Sequence, residues 1–415
     1  MPAMQDLLFL SHRLPYPPDK GDKIRSWNMF RHLASRYRVH LGCFIDDPYD
    51  RRYEGTLRAM CGQCWIGWLD RKAARLRSLG GLARGEALTL GYYHDRDLAR
   101  WVRDRIVGDG IVRVFTYSSS MTQYVLADWA TGVRRVFDFV DVDSDKWRQY
   151  ADRKAWPQSW IYRREARTLL AFERLAAAAS DATLFVSDAE AELFRRLAPE
   201  VSSRVARIRN GVDFEFFNPD QAYKSPIPAT VQALVFTGAM DYWANIDAVV
   251  WFAREVLPAI RQRRPEAEFW IVGANPAAEV RTLSALPGVQ VTGRVPDVRP
   301  YLAHAAAIVA PLRLARGVQN KVLEAMAMAK VVVATPQAAE GIDAVAGRDL
   351  LVAQDASGLA ALADEALGGA HDRVGRRARG LVVSHYGWDG ALSGLESILE
   401  RGLCWDSFSM ELIGH

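Results

Sequence analysis

The segment Pro311-Leu-Arg-Leu-Ala-Arg-Gly-Val-Gln-Asn-Lys-Val-Leu-Glu-Ala-Met-Ala327 holds the residues best suited to chemistry. A strand is expected to end near Leu312, and a loop containing Gly317 follows. From about Asn320, the spacing of Val322, Leu323, Ala325, Met326 and Ala329 predicts a helix. The free N–H groups of the approach and helix start (Gly317, Val318, Gln319, Asn320), with the helix dipole, make a site for an anion. Lys321 adds a positive charge in the first turn. Glu324 lies three residues on, on the same face, where a carboxylate beside a phosphate accepts hydrogen bonds from ribose hydroxyls. An ordinary charged helix start with a surface Lys–Glu pair fits these residues equally well.

A second candidate lies near the start of the chain. Pro17-Pro-Asp-Lys-Gly-Asp-Lys-Ile-Arg25 follows a strand run closely. Gly21 allows close backbone approach, while Lys20, Lys23 and Arg25 supply charge. A plain strand–helix turn is the alternative. Asp138, Asp141 and Asp143 cluster at another strand end, where they either face a ligand or cap the following turn. The eight histidines show no metal spacing, and His12 follows the first strand, where a structural role is the commoner one. The thirteen tryptophans read mostly as core or interface material.

The elements that must position these residues alternate regularly. Apolar or β-branched runs occur at 7–10, 39–45, 112–117, 135–139, 183–187 and 205–209, then at 234–238, 269–273, 289–293, 308–312, 331–335 and 350–353. Longer amphipathic stretches separate them, which predicts an α/β protein with parallel sheets covered by helices on both faces. Ser187-Asp-Ala-Glu190 reads as a capping box, and Leu257-Pro258 as a kink or helix boundary. The stretch 214–228 is rich in Pro, Asn and Asp and lacks periodicity. The expected organisation is therefore an N-terminal Rossmann-like domain (1–212), a linker (213–230) and a second Rossmann-like domain (231–384). A helix at 385–402 and a tail at 403–415 complete it. In such sheets ligands bind at the carboxyl ends of the strands.

Composition bounds the function classes. At 415 residues the chain suits two domains, and half its residues are hydrophobic and a quarter charged. A net charge of +4 is too small to argue for nucleic acid. Arg71, Lys72, Arg75, Arg77 and Arg84 nevertheless fall in one stretch, 71–84, without an acid. It is either a solvated helix face or a surface for anionic lipid or an anionic acceptor. Of four cysteines, Cys61 and Cys64 form a single CxxC with no second pair or nearby His, so they read as packing residues; Cys43 and Cys404 stand apart. The N-terminus lacks a basic region followed by a long apolar one, and no run reaches 18 apolar residues. A cytoplasmic protein is expected, with any membrane contact peripheral.

The Leu323-Glu-Ala-Met-Ala327 segment resembles the donor-binding signature of retaining glycosyltransferase family 4, in which a first Glu precedes this one by eight residues. Here that first position is Arg316, so no carboxylate role carries over, and a guanidinium suits diphosphate instead. Asn210-Gly-Val-Asp213 resembles the motif closing the family's first domain. Phe236-Thr-Gly-Ala-Met-Asp-Tyr-Trp-Ala-Asn245 resembles the first strand and loop of its donor domain, including Gly238. The Arg and Lys that many relatives carry in that loop are missing. Val291-Thr-Gly-Arg-Val-Pro-Asp297 resembles the strand and loop flanking the nucleobase, implying backbone contacts from Arg294 and Val295. Trp388 resembles the position where the C-terminal helix returns to the first domain. Gly21-Asp-Lys-Ile-Arg25 and Phe137–Trp147 resemble a narrower group, the sugar transferases of exosortase and PEP-CTERM exopolysaccharide systems.

The resemblance implies a GT-B fold, two Rossmann-like domains facing a cleft, with the C-terminal helix returning to the first. It implies a retaining hexosyl transfer from a UDP- or GDP-sugar to a glycan or polyprenyl-linked acceptor in exopolysaccharide synthesis. The leaving diphosphate then takes the acceptor proton, and the enzyme stabilises charge through Arg316, Lys321 and the helix start. Asp141-Val-Asp143 imitates the metal-binding DxD of single-domain glycosyltransferases. With cationic side chains available, no metal or further cofactor is expected, and Asp141 is placed at the donor sugar or acceptor hydroxyl. Two alternatives stand beside this: a sugar-nucleotide epimerase of the same fold, and a non-catalytic nucleotide- or glycan-binding protein.

Overall fold

The structure is a computed structural model that describes residues 4–18, 21–152, 154–314 and 318–401. Two compact units are present. One comprises the described residues up to Arg209 with those from Leu392 onward, and the other runs Asn210–Ala391. Lys20, Arg316, Gly317, Cys404 and the tail 403–415 lie outside the described residues.

The first unit is built on strands β1 (Asp6–Ser11), β2 (Arg38–Ile45), β3 (Cys64–Trp68), β4 (Arg113–Tyr117), β5 (Arg134–Val140), β6 (Ala182–Phe185) and β7 (Val205–Arg207). They form one sheet in the order β3-β2-β1-β4-β5-β6-β7, with every pairing parallel. Leu7–Leu10 of β1 are wholly buried, as expected for a central strand covered on both faces. The strand order reverses between β1 and β4, which makes their carboxyl ends the switch point of the sheet.

The second unit is built on β8 (Gln232–Thr237), β9 (Ala267–Val272), β10 (Val289–Gly293), β11 (Ala307–Ala310), β12 (Val332–Ala334) and β13 (Leu351–Val352). Its order, β10-β9-β8-β11-β12-β13, is again parallel throughout and reverses between β8 and β11. Both units are therefore doubly wound and Rossmann-like.

The helix starts follow from local chemistry. Ser187 Oγ accepts from the Glu190 N–H at 3.3 Å at the start of helix Asp188–Leu197, which is one of the two bonds of the expected capping box. The Glu190 carboxylate also accepts from the Val142 N–H at 2.7 Å, tying that helix to the end of β5. Leu257-Pro258 begins helix Leu257–Arg263 after a wide turn at 252–256, which relieves the clash of the proline ring.

Three features differ from the sequence expectation. The first sheet has seven strands rather than about six. The additional one is the edge strand β3, whose residues are half-exposed and so lack a clear burial period. Cys64 opens that strand, and Cys61 ends the preceding helix Glu54–Met60; both are free. The stretch at 213–230 belongs to the second unit, because Phe217 and Ile227 are buried in its core. The C-terminal segment is split. Helix Trp388–Leu392 starts in the second unit, whereas helix Leu395–Arg401 belongs to the first. Glu400 fastens the latter to the first sheet, receiving two bonds from the Arg113 guanidinium (2.6 and 2.8 Å) and one from the Tyr37 hydroxyl at 2.7 Å.

Candidate functional site

At the switch point of the second sheet, the helix Asn320–Ala327 follows β11 and presents Lys321 and Glu324 from its first turns. Its apolar positions Val322, Leu323, Ala325 and Met326 are buried in the core, so the opposite face must carry the polar pair. Among the described residues no side chain caps the helix start, whose N-cap residue, Gln319, is in an extended conformation. The first-turn N–H groups and the positive end of the dipole lie beside Lys321. The Asn320 amide oxygen is held from behind by Asn210 Nδ2 at 2.9 Å.

Lys321 is fixed on two sides. Its Nζ donates to Asn245 Oδ1 at 2.5 Å and lies 4.2 Å from the centre of the Phe236 ring. Asn245, in the first turn of helix Trp243–Trp251, uses the other end of its amide to donate to Ala239 O at 2.9 Å. Both charged groups feel their burial. It pushes the Lys321 ammonium down to about 7, against the pull of the Glu324 carboxylate. It pushes the Glu324 carboxyl up to about 7, against the pull of Lys321. A site that desolvates a cation without fully neutralising it is suited to taking up an anion.

The rim beside this pair is bare backbone. A Cβ on Gly238 would stand 2.7 Å from Asn245 Nδ2 and 3.2 Å from Lys321 Nζ. A Cβ on Gly273 would stand 1.7 Å from Gly238 O. Gly238 N donates to Val272 O at 3.1 Å, and Gly273 N donates to Gly293 O at 3.2 Å. Three adjacent strands thus run out at glycine; at Gly238 and Gly273 the neighbouring groups leave no room for a Cβ, whereas Gly293 is open, and together they form a ledge of main chain beside Lys321. Arg294 and Val295 follow Gly293 at the far end of that ledge, with Val295 partly buried against the core. Val318 also packs on the core, next to the helix start. Arg313 is not part of this group, since it pairs with Asp247 (2.5 and 3.0 Å) on the outer side of helix Trp243–Trp251.

In the first unit the proposed residues divide. Gly21 begins helix Gly21–Ala34. Arg25 and Lys23, read as charges facing a ligand, are instead buried in ion pairs. Arg25 makes a bidentate pair with Asp138 (2.8 and 3.1 Å), and Lys23 meets Asp50 at 3.1 Å. Burial alone would make these charges costly, so each is satisfied by a partner. Asp138 is therefore part of the frame. Asp141 stands at the end of β5 with its carboxylate 2.8 Å from Lys146 Nζ, which also meets Asp143 at 3.1 Å. Two non-glycine residues with left-handed backbone flank this rim, Ser118 (φ 81°) and Val140 (φ 69°), and Ser118 N donates to Asp138 O at 2.8 Å. Such strain in a β-branched residue is held only where surrounding structure enforces it. Among the described residues, no group of three or more His, Cys, Asp or Glu side chains is placed to hold a metal ion.

Sequence reasoning missed some of these partners. Asn245 ended a quoted motif but carried no role; its signal was its place four residues after Asp241, in the turn that opens the next helix. His12 gathers a further cluster at the first switch point. Its Nε2 lies 3.5 Å from Asp22, which also meets Arg13 at 2.7 Å, and its ring stacks 5.8 Å from Tyr117.

Residues 231–368 match the family described as "Glycosyl transferases group 1". None of the curated proteins compared matches the chain. Among solved structures, the Anabaena protein HepE in complex with UDP and glucose has a TM-score of 0.68 at 14% identity, covering 96% of this chain and 100% of that one. Sucrose-phosphate synthase from Thermosynechococcus elongatus has a TM-score of 0.67 at 16% identity, covering 95% and 98%. WaaG, a glycosyltransferase involved in lipopolysaccharide biosynthesis, has a TM-score of 0.66 at 16% identity, covering 95% and 100%. The chain thus has the two-Rossmann-domain fold of GT-B glycosyltransferases, and the match to group 1 glycosyl transferases lies within its second unit and includes the helix that carries Lys321 and Glu324.

Proposed function

We propose that this chain is a glycosyltransferase that binds a UDP- or GDP-sugar at the second sheet and transfers its hexose, with retention, to a glycan or polyprenyl-linked acceptor. The observation that carries the reading is Lys321 beside a helix start and a glycine ledge, with Glu324 one turn on. That arrangement offers main-chain N–H groups and one ammonium to a diphosphate, and one carboxylate to a ribose. The group 1 match over the same residues supports it, and so does HepE, which was crystallised with UDP and with UDP-glucose.

The chemistry asked of these residues is electrostatic. As the bond from sugar to diphosphate breaks, negative charge builds on the leaving oxygen and the sugar becomes oxocarbenium-like. A desolvated ammonium at Lys321 gains most from that charge, because little water competes for it. Arg316, four residues before the helix start in the sequence, is proposed to supply a second cation. The leaving oxygen takes the acceptor proton on the same sugar face, so no metal and no separate base are needed. Asp141, at the carboxyl rim of the first sheet, serves the sugar or acceptor hydroxyl. The likeness of Gly21–Arg25 and Phe137–Trp147 to exopolysaccharide sugar transferases supports a growing exopolysaccharide as acceptor. A cytoplasmic protein working peripherally at a membrane suits a polyprenyl carrier.

A thermal-shift screen of nucleotide sugars tests the reading. A ligand present at about 100 times its dissociation constant adds roughly 2.7 kcal/mol of stability. One nucleotide series should stabilise the wild type and leave Lys321→Ala unmoved. Silence across every UDP- and GDP-sugar would overturn the assignment.

A further inference from the structure

The first unit displays large apolar side chains that none of its own elements cover. Helix Arg71–Ser78 runs through Leu79 into helix Gly80–Arg84. Its inward stripe is Ala74, Ser78 and Gly81, all buried. Its outward stripe is Leu76, Leu79 and Leu82, which are 72%, 53% and 37% exposed. Spacing of three residues places these leucines on one face.

A second element of the same unit carries exposed tryptophans. Trp156 (81% exposed) and Trp160 (56%) stand just before and within the first turn of helix Gln158–Ala178. Arg164, one turn after Trp160, donates to Gly81 O at 2.8 Å and Glu86 O at 3.0 Å. Glu165 accepts from the Leu88 and Thr89 N–H groups at 2.6 and 2.9 Å. These bonds clamp the start of the long helix to the segment that carries the leucines. The tryptophans and leucines are therefore carried on two elements held rigidly to each other.

The charges around the patch are unequal in kind. Arg77 is turned inward, donating to Gly91 O (3.0 Å) and Tyr92 O (2.9 Å), so it belongs to the frame. Arg71 pairs with Asp46 at 3.0 Å, and Arg84 with Glu86 at 2.7 Å. Lys72 and Arg75 lie on the outward face with no carboxylate on their side chains among the described residues. Exposed leucines and unneutralised cations on one helix face, with exposed tryptophans on the helix start clamped to it, match the chemistry of an anionic bilayer. The aliphatic groups enter the acyl boundary, the indoles sit at the headgroup level and the cations meet the phosphates.

We propose that Leu76, Leu79, Leu82, Trp156 and Trp160, with Lys72 and Arg75, seat the first unit on an anionic lipid surface. This narrows the basic 71–84 region to a face with named inserting residues, removes Arg77 from it and adds the two tryptophans. It deepens the proposal of a lipid-linked acceptor, yet stands on this surface alone, so it survives if the donor assignment fails.

Co-sedimentation of the full chain with phosphatidylcholine vesicles, with and without phosphatidylglycerol, tests it. Binding is expected only to the anionic vesicles and should weaken as salt shortens the range of the cations. Leu76→Ser with Trp160→Ser should lower vesicle affinity about tenfold or more, as should Lys72→Glu with Arg75→Glu. All four side chains are exposed, so the melting temperature should not move; Leu175→Ser, exposed near the far end of the same long helix, should change nothing. Donor-induced thermal shifts should be equal in wild type and variants, which separates this test from that of the donor site. Failure to bind anionic vesicles at low salt would overturn the proposal. So would vesicle binding that none of the variants alters. A dimer in solution that the same variants dissolve would assign the face to a second copy of the chain instead.

Discussion

The ammonium of Lys321 lies 2.5 Å from the amide oxygen of Asn245, although 76 residues separate them in the chain. The contact spans the switch point, from the helix after β8 to the helix after β11. The amide cannot turn away, because its nitrogen is held by Ala239 O. Asn245 is thus a positioning residue, which aims Lys321 along the glycine ledge. Asn245→Ala should lower kcat/KM for sugar transfer about tenfold while leaving the fold intact. Asn245→Asp should raise the apparent pKa of Lys321 and shift the pH profile upward. A kcat/KM within twofold of wild type in both variants would show that Lys321 aims itself.

In the proposed donor site, Lys321 and Glu324 differ in the step they serve. Lys321→Ala would remove the cation proposed to meet developing charge, so kcat should fall with kcat/KM. Glu324→Ala would remove the proposed ribose contact, so KM for the donor should carry much of the change. Each loss should reach at least about tenfold in kcat/KM, roughly 1.4 kcal/mol of transition-state stabilisation. Steady-state kinetics with the donor identified by thermal shift makes the comparison. Wild-type activity in both variants would sink the site.

The shifted ionisations of this pair predict a pH signature. Folded Lys321 loses its proton near 7, whereas the unfolded residue holds it to about 10.5. Between those values the unfolded chain binds more protons, so stability rises with pH. Folded Glu324 keeps its proton up to about 7, whereas the unfolded residue releases it near 4.5. Across that lower window the folded chain binds more protons, so stability falls as pH rises. Together they give the ligand-free second unit a shallow stability minimum near neutrality. Lys321→Met should abolish the rise above about 7 and keep the fall below it. Melting temperatures across pH 4 to 10 report both limbs, and an identical upper limb in the variant would assign it elsewhere. A bound diphosphate restores the charge on Lys321, so UDP affinity should decline as pH climbs above about 7.

Much of the frame around this site was readable in the residues. The alternation of short apolar runs with amphipathic stretches gave two doubly wound sheets, because parallel strands are buried on both faces and leave continuous apolar runs. Lys321 and Glu324 were readable because glycine, a helix start and two charges fall within nine residues. What stayed hidden were partners brought from elsewhere in the chain. Asn245 looks like any polar residue in a first turn. Arg25 and Lys23 look like ligand-facing cations until Asp138, from β5, and Asp50 neutralise them. Edge strand β3 stayed hidden for a different reason, since a half-exposed strand with a glycine leaves no burial period.

The buried pair Arg25–Asp138 sets the last expectation. Neither side chain has any exposed surface, and the two bonds between them are 2.8 and 3.1 Å long. Burial pushes the Asp138 carboxyl up, and the Arg25 guanidinium opposes that push. Asp138 Oδ1 also accepts from the Val140 N–H at 3.1 Å, which holds the left-handed backbone beside Asp141. Arg25→Met would strand a carboxylate in the core, at a cost of about 3–5 kcal/mol. Arg25→Met with Asp138→Leu should recover much of that loss, because no charge then remains buried. The single variant should also regain stability on acidification. Its Asp138 favours the protonated form when folded, so its stability falls as pH rises through the folded pKa. Urea unfolding of the wild type, the single and the double variant completes the cycle. A single variant within about 0.5 kcal/mol of wild type would mean that water reaches Asp138 and that the pair is not what holds Val140 in place.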